Sequence, residues 1–140
     1  MASLIYNSCV DDAARGLIDF DTDTFYGMLV TDAYTPNKDT HTRRSDVTNE
    51  VGASGSYAAG GAATACTVTK DTALDKVTCA FAALAFTTAT ITARACVIYK
   101  RRGGAASADE LVAYVDFGSN ITSTADTFTA TFSTPLTYQN

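Results

Sequence analysis

Residues 125–133 read ADTFTATFS and alternate apolar with hydroxyl side chains over most of their length. In an extended chain Phe128, Ala130 and Phe132 point to one side, and the threonines between them point to the other. A repeat of two residues is typical of a strand with one buried and one exposed face. The segment therefore predicts a β-strand over 125–133.

The composition of the whole chain agrees with a fold made of strands. Its 140 residues include 23 threonines, 14 phenylalanines and tyrosines and only two prolines. β-Branched and aromatic side chains pack well on a pleated surface. A chain of this length buries one core, so we expect a single domain over 1–140.

Alternating or apolar segments recur along the chain and are predicted as strands. They are residues 17–20, 24–30, 65–69, 76–81, 84–86, 90–100, 110–117 and 125–133. The second of these segments is apolar on both faces, which predicts cover on both sides. Eight short antiparallel strands, each with one inner face, predict an all-β fold of two packed sheets, a jelly-roll-like sandwich.

Residues 1–15 predict an arm with a short helix that Gly16 ends. Ser8 can cap the first turn, and Asp11 and Asp12 suit the positive end of a helix dipole. The first residues lack the basic and apolar pattern of a secretory signal, and no segment is apolar enough to span a bilayer. The sequence thus predicts synthesis in the cytosol.

Charge and cysteine usage indicate which partners and cofactors to expect. A formal charge of −5 opposes binding to a phosphate backbone. Cys9, Cys66, Cys79 and Cys96 lack the spacing of a zinc site, so we predict reduced, buried thiols, with disulfides or zinc as the alternatives. We expect no cofactor, no metal and no nucleic acid.

Residues able to support catalysis are few, and we predict no enzyme. His41 is the single histidine and lies in a hydrophilic segment, where a solvated loop residue is the simpler interpretation. The run 52–56 departs from a nucleophile elbow because Ser56 stands where glycine is needed. Asp19, Asp21 and Asp23 alternate like calcium ligands, but the turn glycine and the closing glutamate are missing.

The segment 31–61 has little periodicity, which in a compact domain indicates a functional or partner-binding loop. Two tyrosines inside it and two basic clusters near loop ends are the candidate interface residues, with ordinary packing and solvated charge as the alternatives. The candidates are Tyr34, Arg43, Arg44, Tyr57, Lys100, Arg101 and Arg102. On this interpretation, glutamate at positions 43 and 44 should weaken partner binding and leave the fold intact.

Four further stretches carry a family resemblance. They read DVTNEV at 46–51, GSYAAGG at 55–61, ACVIYK at 95–100 and LVAYVDFG at 111–118. Together with the strand around residues 20–30, they resemble small virion proteins of tailed bacteriophages over nearly the whole chain. In the family pattern glycine directly precedes the tyrosine, whereas here Ser56 lies between Gly55 and Tyr57.

The resemblance implies a structural protein of the virion without catalysis. The role it implies first is a capsid cement or decoration protein on the outer surface of the head, binding across major capsid protein subunits and stabilising the shell. The chain itself is the second implied partner, as a homodimer in preference to a trimer, and neither nucleic acid nor membrane is expected. The alternative is a tail, baseplate or receptor-binding component.

Overall fold

The computed structural model describes residues 2–132 and 136–139. Within them, strands dominate and one α-helix is present. In chain order the elements are β1 (Leu4–Ile5), α1 (Asn7–Ala14), β2 (Phe25–Val30), a 3-10 turn (Arg44–Asp46), β3 (Ala62–Thr64), β4 (Cys66–Asp71), β5 (Lys76–Phe81), β6 (Leu84–Lys100), a second 3-10 turn (Ala106–Ala108), β7 (Leu111–Ala130) and β8 (Leu136–Gln139).

The strands form two sheets. The first has five strands in the order β1-β7-β6-β2-β3, and the second has three in the order β4-β5-β8. Neighbouring strands are antiparallel in both sheets. The predicted all-β sandwich of two antiparallel sheets is therefore confirmed, as is the short helix in the N-terminal segment.

The first sheet is buried on both of its faces. On one face, Phe25 and Ile98 pack with Cys9 of α1 and with Phe81 of the second sheet. The other face carries a second core cluster, whose buried members are Tyr6, Met28, Val30, Tyr34, Ala95, Val97, Tyr99, Leu111 and Tyr114. Tyr6 and the segment 31–61 cover that face, which confirms the expectation that β2 is covered on both sides.

β6 and β7 are longer than the sequence predicts. The predicted strands 84–86 and 90–100 are parts of one 17-residue strand, and residues 111–117 and 125–130 of the predicted strands 110–117 and 125–133 belong to one 20-residue strand. Thr131 and Phe132 lie beyond its end and are not in a strand. Residue 133 lies outside the described residues. Register shifts between Phe86 and Ala89, and left-handed residues at Gly118 and Ala125, break the alternation while the pairing continues.

Four predictions about the elements are wrong or incomplete. Residues 17–20 are not a strand but part of an irregular segment, and the strands β3 and β8 were not predicted. Ser8 lies inside α1, where its buried Oγ has no hydrogen-bond partner among the described residues, and the N-cap is Tyr6. Asp11 and Asp12 lie in the second turn, and they bind arginines there.

Candidate interaction surface

The predicted interface tyrosines lie in the core. Tyr34 is 3% exposed, and its hydroxyl lies 2.9 Å from both the Tyr6 hydroxyl and Nδ1 of His41. Burial raises the pKa of Tyr34. The His41 ring also stacks on the Tyr34 ring, with 5.7 Å between centroids. Tyr34 and His41 thus attach the first part of the 31–61 segment to the sheet.

Tyr57 attaches the second part of this segment. It is 1% exposed, donates to Glu50 Oε1 over 2.8 Å and accepts a hydrogen bond from the Leu29 backbone N–H over 2.9 Å. Its ring lies edge-on to Phe86. Both tyrosines therefore pack inside the protein, which was the alternative to an interface role. Neither side chain is accessible to a partner.

The two basic clusters, far apart in sequence, lie at the same end of the sandwich. There they form ion pairs with acidic residues from three different parts of the chain. We call the whole group the charged cluster, and its members are Asp12, Asp23, Arg43, Arg44, Lys100, Arg102, Asp109 and Glu110. It ties the 31–61 segment, α1 and the β6–β7 hairpin together.

Two pairs in the charged cluster contain deeply buried acids. Arg44 Nε lies 2.8 Å from Asp109, whose side chain is 1% exposed, and the Arg44 guanidinium lies over the Tyr99 ring at 5.1 Å. Arg102 contacts both carboxylate oxygens of Glu110, at 2.6 and 2.7 Å, and Glu110 is 2% exposed. A buried charge is stable only with a partner. These arginines are therefore structural.

The remaining pairs attach α1 and the loop before β2. Arg43 lies 2.9 Å from Asp12, and Lys100 lies 2.8 Å from Asp23 while donating to the Leu17 carbonyl over 2.6 Å. The Lys100 side chain is 13% exposed. Glutamate at position 43 or 44 would therefore place like charges together, so this substitution tests the fold and not a surface contact.

Four acids of the charged cluster were not among the predicted site residues. For Asp109 and Glu110 a signal was available, because the connection after Lys100 returns along the same hairpin and brings residues 109–110 beside 100–102. For Asp12 and Asp23 the partner lies on an element that is not a neighbour in sequence. Sequence spacing alone contains no signal for those two pairs.

Arg101 differs from the other basic candidates. It is exposed, and its guanidinium stacks on the Tyr26 ring at 4.4 Å from the centroid. Within residues 2–132 and 136–139, no ion pair of Arg101 is found. Stacking orients the guanidinium while leaving its N–H groups available to a carboxylate. Among the predicted candidates, Arg101 is the one best placed to contact a partner.

The other polar residues considered for chemistry bind the chain's own backbone. Ser54 and Ser56 accept hydrogen bonds from the N–H groups of β6 at Thr90 and Thr87, and so fix the 52–57 turn on that strand. Asp19 accepts from the N–H of Asp21 over 2.9 Å. No group of three metal-ligating side chains close enough to hold an ion is found among the described residues.

The four cysteines are free thiols, and three of them are buried. Burial raises the pKa of Cys9 and of Cys66 to about 12, so both are protonated at neutral pH. Cys66 and Cys79 are in contact, and this contact also raises the Cys66 pKa. Cys9, Cys79 and Cys96 are buried, as predicted, whereas Cys66 is part-exposed.

Large apolar side chains are exposed where α1 meets β8. Val10 is 53% exposed, Leu17 40% and Tyr138 39%, and Val10 and Tyr138 line a groove of about 510 Å³. Exposed aromatic and aliphatic side chains grouped in this way are typical of protein contacts. We call Val10 and Tyr138, which share this groove, the apolar corner.

Two carboxylates, Asp46 and Asp116, make the stability of the fold depend on pH. Backbone N–H groups of Thr42 and Arg43 donate to Asp46 and hold its pKa below the usual range. The Arg94 guanidinium, 2.7 Å from Asp116, lowers the pKa of that carboxyl. A pKa lowered by folding contributes stability above the unfolded-state pKa of about 4, and the contribution is lost as pH falls through the folded-state value.

We therefore expect the free energy of unfolding, measured by urea titration, to decrease as pH falls below about 4. The free energies of unfolding of wild type and Asp116→Asn should differ most at neutral pH and become equal in acid. Arg94→Gln is the matched control, because it removes the same ion pair from the other side. It should also weaken the pH dependence of the free energy of unfolding. A difference between wild type and Asp116→Asn that stays constant with pH would contradict this assignment.

Comparison with known proteins gives no match for this chain among family models, curated proteins or solved structures. No helix in the described part of the chain is long and apolar enough to cross a membrane.

Proposed function

We propose that this chain is a structural protein of a tailed-bacteriophage virion, and that it decorates the capsid by binding across major capsid protein subunits on the outside of the head. The proposal rests on the sequence resemblance, because a sandwich fold alone does not decide function. The structural observation that supports it is the division between internally bonded polar side chains and exposed apolar ones. Most candidate polar groups hold the chain's own loops, while the apolar corner and the Arg101–Tyr26 stack are exposed.

A protein that binds across neighbouring subunits stabilises the assembled shell by mass action, because it binds the closed lattice and not the free subunits. Rigidity helps, because fewer groups lose conformational freedom on binding. The charged cluster and the buried tyrosines supply that rigidity to the 31–61 segment. The net charge of −5 suits a position outside the packaged DNA.

Copy number separates the head from the tail. Quantitative gel densitometry on purified particles of the encoding phage should give hundreds of copies if the chain decorates the capsid. A handful of copies would favour the tail or baseplate alternative. Absence of the chain from mature particles would overturn both.

We expect Arg101→Glu to lower occupancy on the particle with only a small decrease in thermal stability, about 1 kcal/mol or less. The substitution removes the exposed cation and the stack on Tyr26, while the ion pairs of the charged cluster remain. Occupancy is measured by densitometry after adding purified variant to particles lacking the protein. Lys70→Glu, an exposed charge reversal on β4, is the control and should bind like wild type. Equal occupancy for both variants would exclude Arg101 as an anchor.

A further inference from the structure

The second sheet buries little of its own surface. Among the described residues its strands β4, β5 and β8 contain one buried residue, Cys79, whereas β2 of the first sheet is buried at five of its six positions. Val68 lies opposite Cys79 and so shares its face of the sheet, yet Val68 is 38% exposed. Tyr138 lies opposite Val77 on the same face and is 39% exposed. The first sheet therefore covers only part of the face that it packs against.

A short chain of aromatic rings connects the second sheet to the first. Phe81 of β5 lies edge-on to Phe25 of β2, with 5.5 Å between ring centroids. Phe20, in the loop before β2, stacks on Phe25 at 5.5 Å and meets the Tyr138 ring of β8 at 6.3 Å. No ion pair joins the two sheets within the part of the chain that the structure describes. Aromatic packing is therefore a main part of the attachment, and such pairs are individually weak.

Two of the backbone crossings between the sheets lie side by side. Ala65 joins β3 to β4, and residues 82–83 join β5 to β6; all three are exposed alanines. The Ala82 N–H donates to the Ala65 carbonyl over 2.9 Å, and the Thr64 hydroxyl donates to the Ala82 carbonyl over 2.7 Å. The third crossing, residues 131–135, lies partly outside the described residues. The β4–β5 hairpin can turn about the first two crossings while they stay bonded to each other, and hinges commonly consist of a few residues of this kind.

Open space borders the contact between the sheets. A cleft of about 680 Å³ is lined by Phe81 and Leu136 of the second sheet and by Ile98 and Val115 of the first. Beside Tyr138, the groove of the apolar corner adds about 510 Å³. Side chains in a closed core interdigitate with few voids larger than a water molecule. Here the aromatic contacts lie beside two openings, so their separation displaces little else.

We propose that the second sheet is a lid, which opens as a unit about Ala65 and residues 82–83 while the first sheet stays folded. β8 moves with the β4–β5 hairpin because it pairs with β5 at four positions. Opening separates Phe81 from Phe25, widens the apolar cleft and exposes the Cys79 thiol to solvent. Parts of a protein with few buried apolar contacts open at a smaller free energy than complete unfolding requires. The lid is a property of the free chain and does not depend on a role in the virion.

Alkylation of cysteines in the full chain by N-ethylmaleimide, followed by peptide mass spectrometry, measures the opening. Cys79 lies on the inner face of the lid and is 2% exposed, so it reacts when the lid opens. Cys96 is buried in a separate core cluster, so it reacts on complete unfolding. The background is Cys66→Ser, which prevents reagent on the part-exposed Cys66 from disturbing Cys79 beside it. We expect Cys79 to react at least about 100-fold faster than Cys96.

Two variants separate opening of the lid from complete unfolding. Val97→Ala creates a cavity on the opposite face of the first sheet. It should raise the rate at Cys96 roughly tenfold or more and leave the rate at Cys79 unchanged, because its packing is lost only on complete unfolding. Phe20→Ala removes the ring that meets Tyr138 of the lid. It should raise the rates at both thiols by about tenfold, because this contact is lost in the opened and in the unfolded chain alike.

Equal rates at Cys79 and Cys96 would overturn the proposal, because the two sheets would then open in one step. The same conclusion follows if Val97→Ala raises both rates by the same factor. A rate at Cys79 equal to that of a cysteine in an unfolded peptide would mean that the sheet is never closed, which also contradicts a lid. If Val97→Ala does not fold, the ratio of the two rates in the Cys66→Ser background still decides.

Discussion

Arg44→Met should destabilise the protein by about 3 kcal/mol, measured as the free energy of unfolding in urea. The substitution leaves Asp109 buried at 1% exposure without its cation, and it also removes the guanidinium above the Tyr99 ring. Breaking a buried pair from one side costs more than the pair is worth, because the remaining charge is left in an apolar environment. The loss should appear as a lower urea midpoint with an unchanged slope.

The exposed pair of Arg15 and Asp11 provides the control. These side chains are 68% and 59% exposed, so Arg15→Met should cause a far smaller change. Adding Asp109→Asn to Arg44→Met should restore part of the loss, because the amide removes the charge while its oxygen still accepts from the Arg102 N–H. If Arg44→Met proves as mild as Arg15→Met, the charged cluster is not what holds this end of the sandwich.

The alternation of apolar and polar residues was sufficient to predict the fold class but not the length of the strands. The alternation of side chains shows on which face of the sheet each residue lies. A bulge moves the following side chains to the other face, although the strand continues. The shift between Phe86 and Ala89 and the left-handed Gly118 therefore look like strand ends in the sequence. Whether a strand continues depends on the pairing of its backbone with the neighbouring strand. The residue types along the strand predict this pairing only weakly.

The 31–61 segment shows what periodicity cannot detect. Tyr34 and Tyr57 lie in irregular chain and yet are buried, Tyr34 in the cluster on the second face of the first sheet and Tyr57 in a separate cluster with Leu29 and Phe86. The apolar character of β2 on both faces was the available signal, and 31–61 was a segment long enough to provide the cover. The basic residues needed more information, because an arginine in a loop looks the same in sequence whether its carboxylate partner is internal or on another protein.

Gly61→Ala should be the most damaging single substitution of those considered, with a loss of at least about 4 kcal/mol or failure to fold. Gly61 has a φ of 80°, and a Cβ there would lie 1.8 Å from the Gly27 carbonyl oxygen of β2. Neither atom belongs to a flexible side chain, so relief requires β2 and the start of β3 to separate. That separation would disturb the pairing of Gly27 with Ala62 and the hydrogen bond from the Tyr99 hydroxyl to Gly60.

Gly103→Ala separates this steric clash from the cost of the backbone conformation. Gly103 has a φ of 85°, but a Cβ there meets nothing within 4 Å, so the variant should lose only about 1–2 kcal/mol for holding alanine in the left-handed region. Circular dichroism melts and urea titrations of both variants give the two losses under the same conditions. The difference between them measures how tightly the 60–61 turn is packed against β2. Equal losses would mean that the strands yield to the added methyl group, and that the turn does not fix the end of the 31–61 segment.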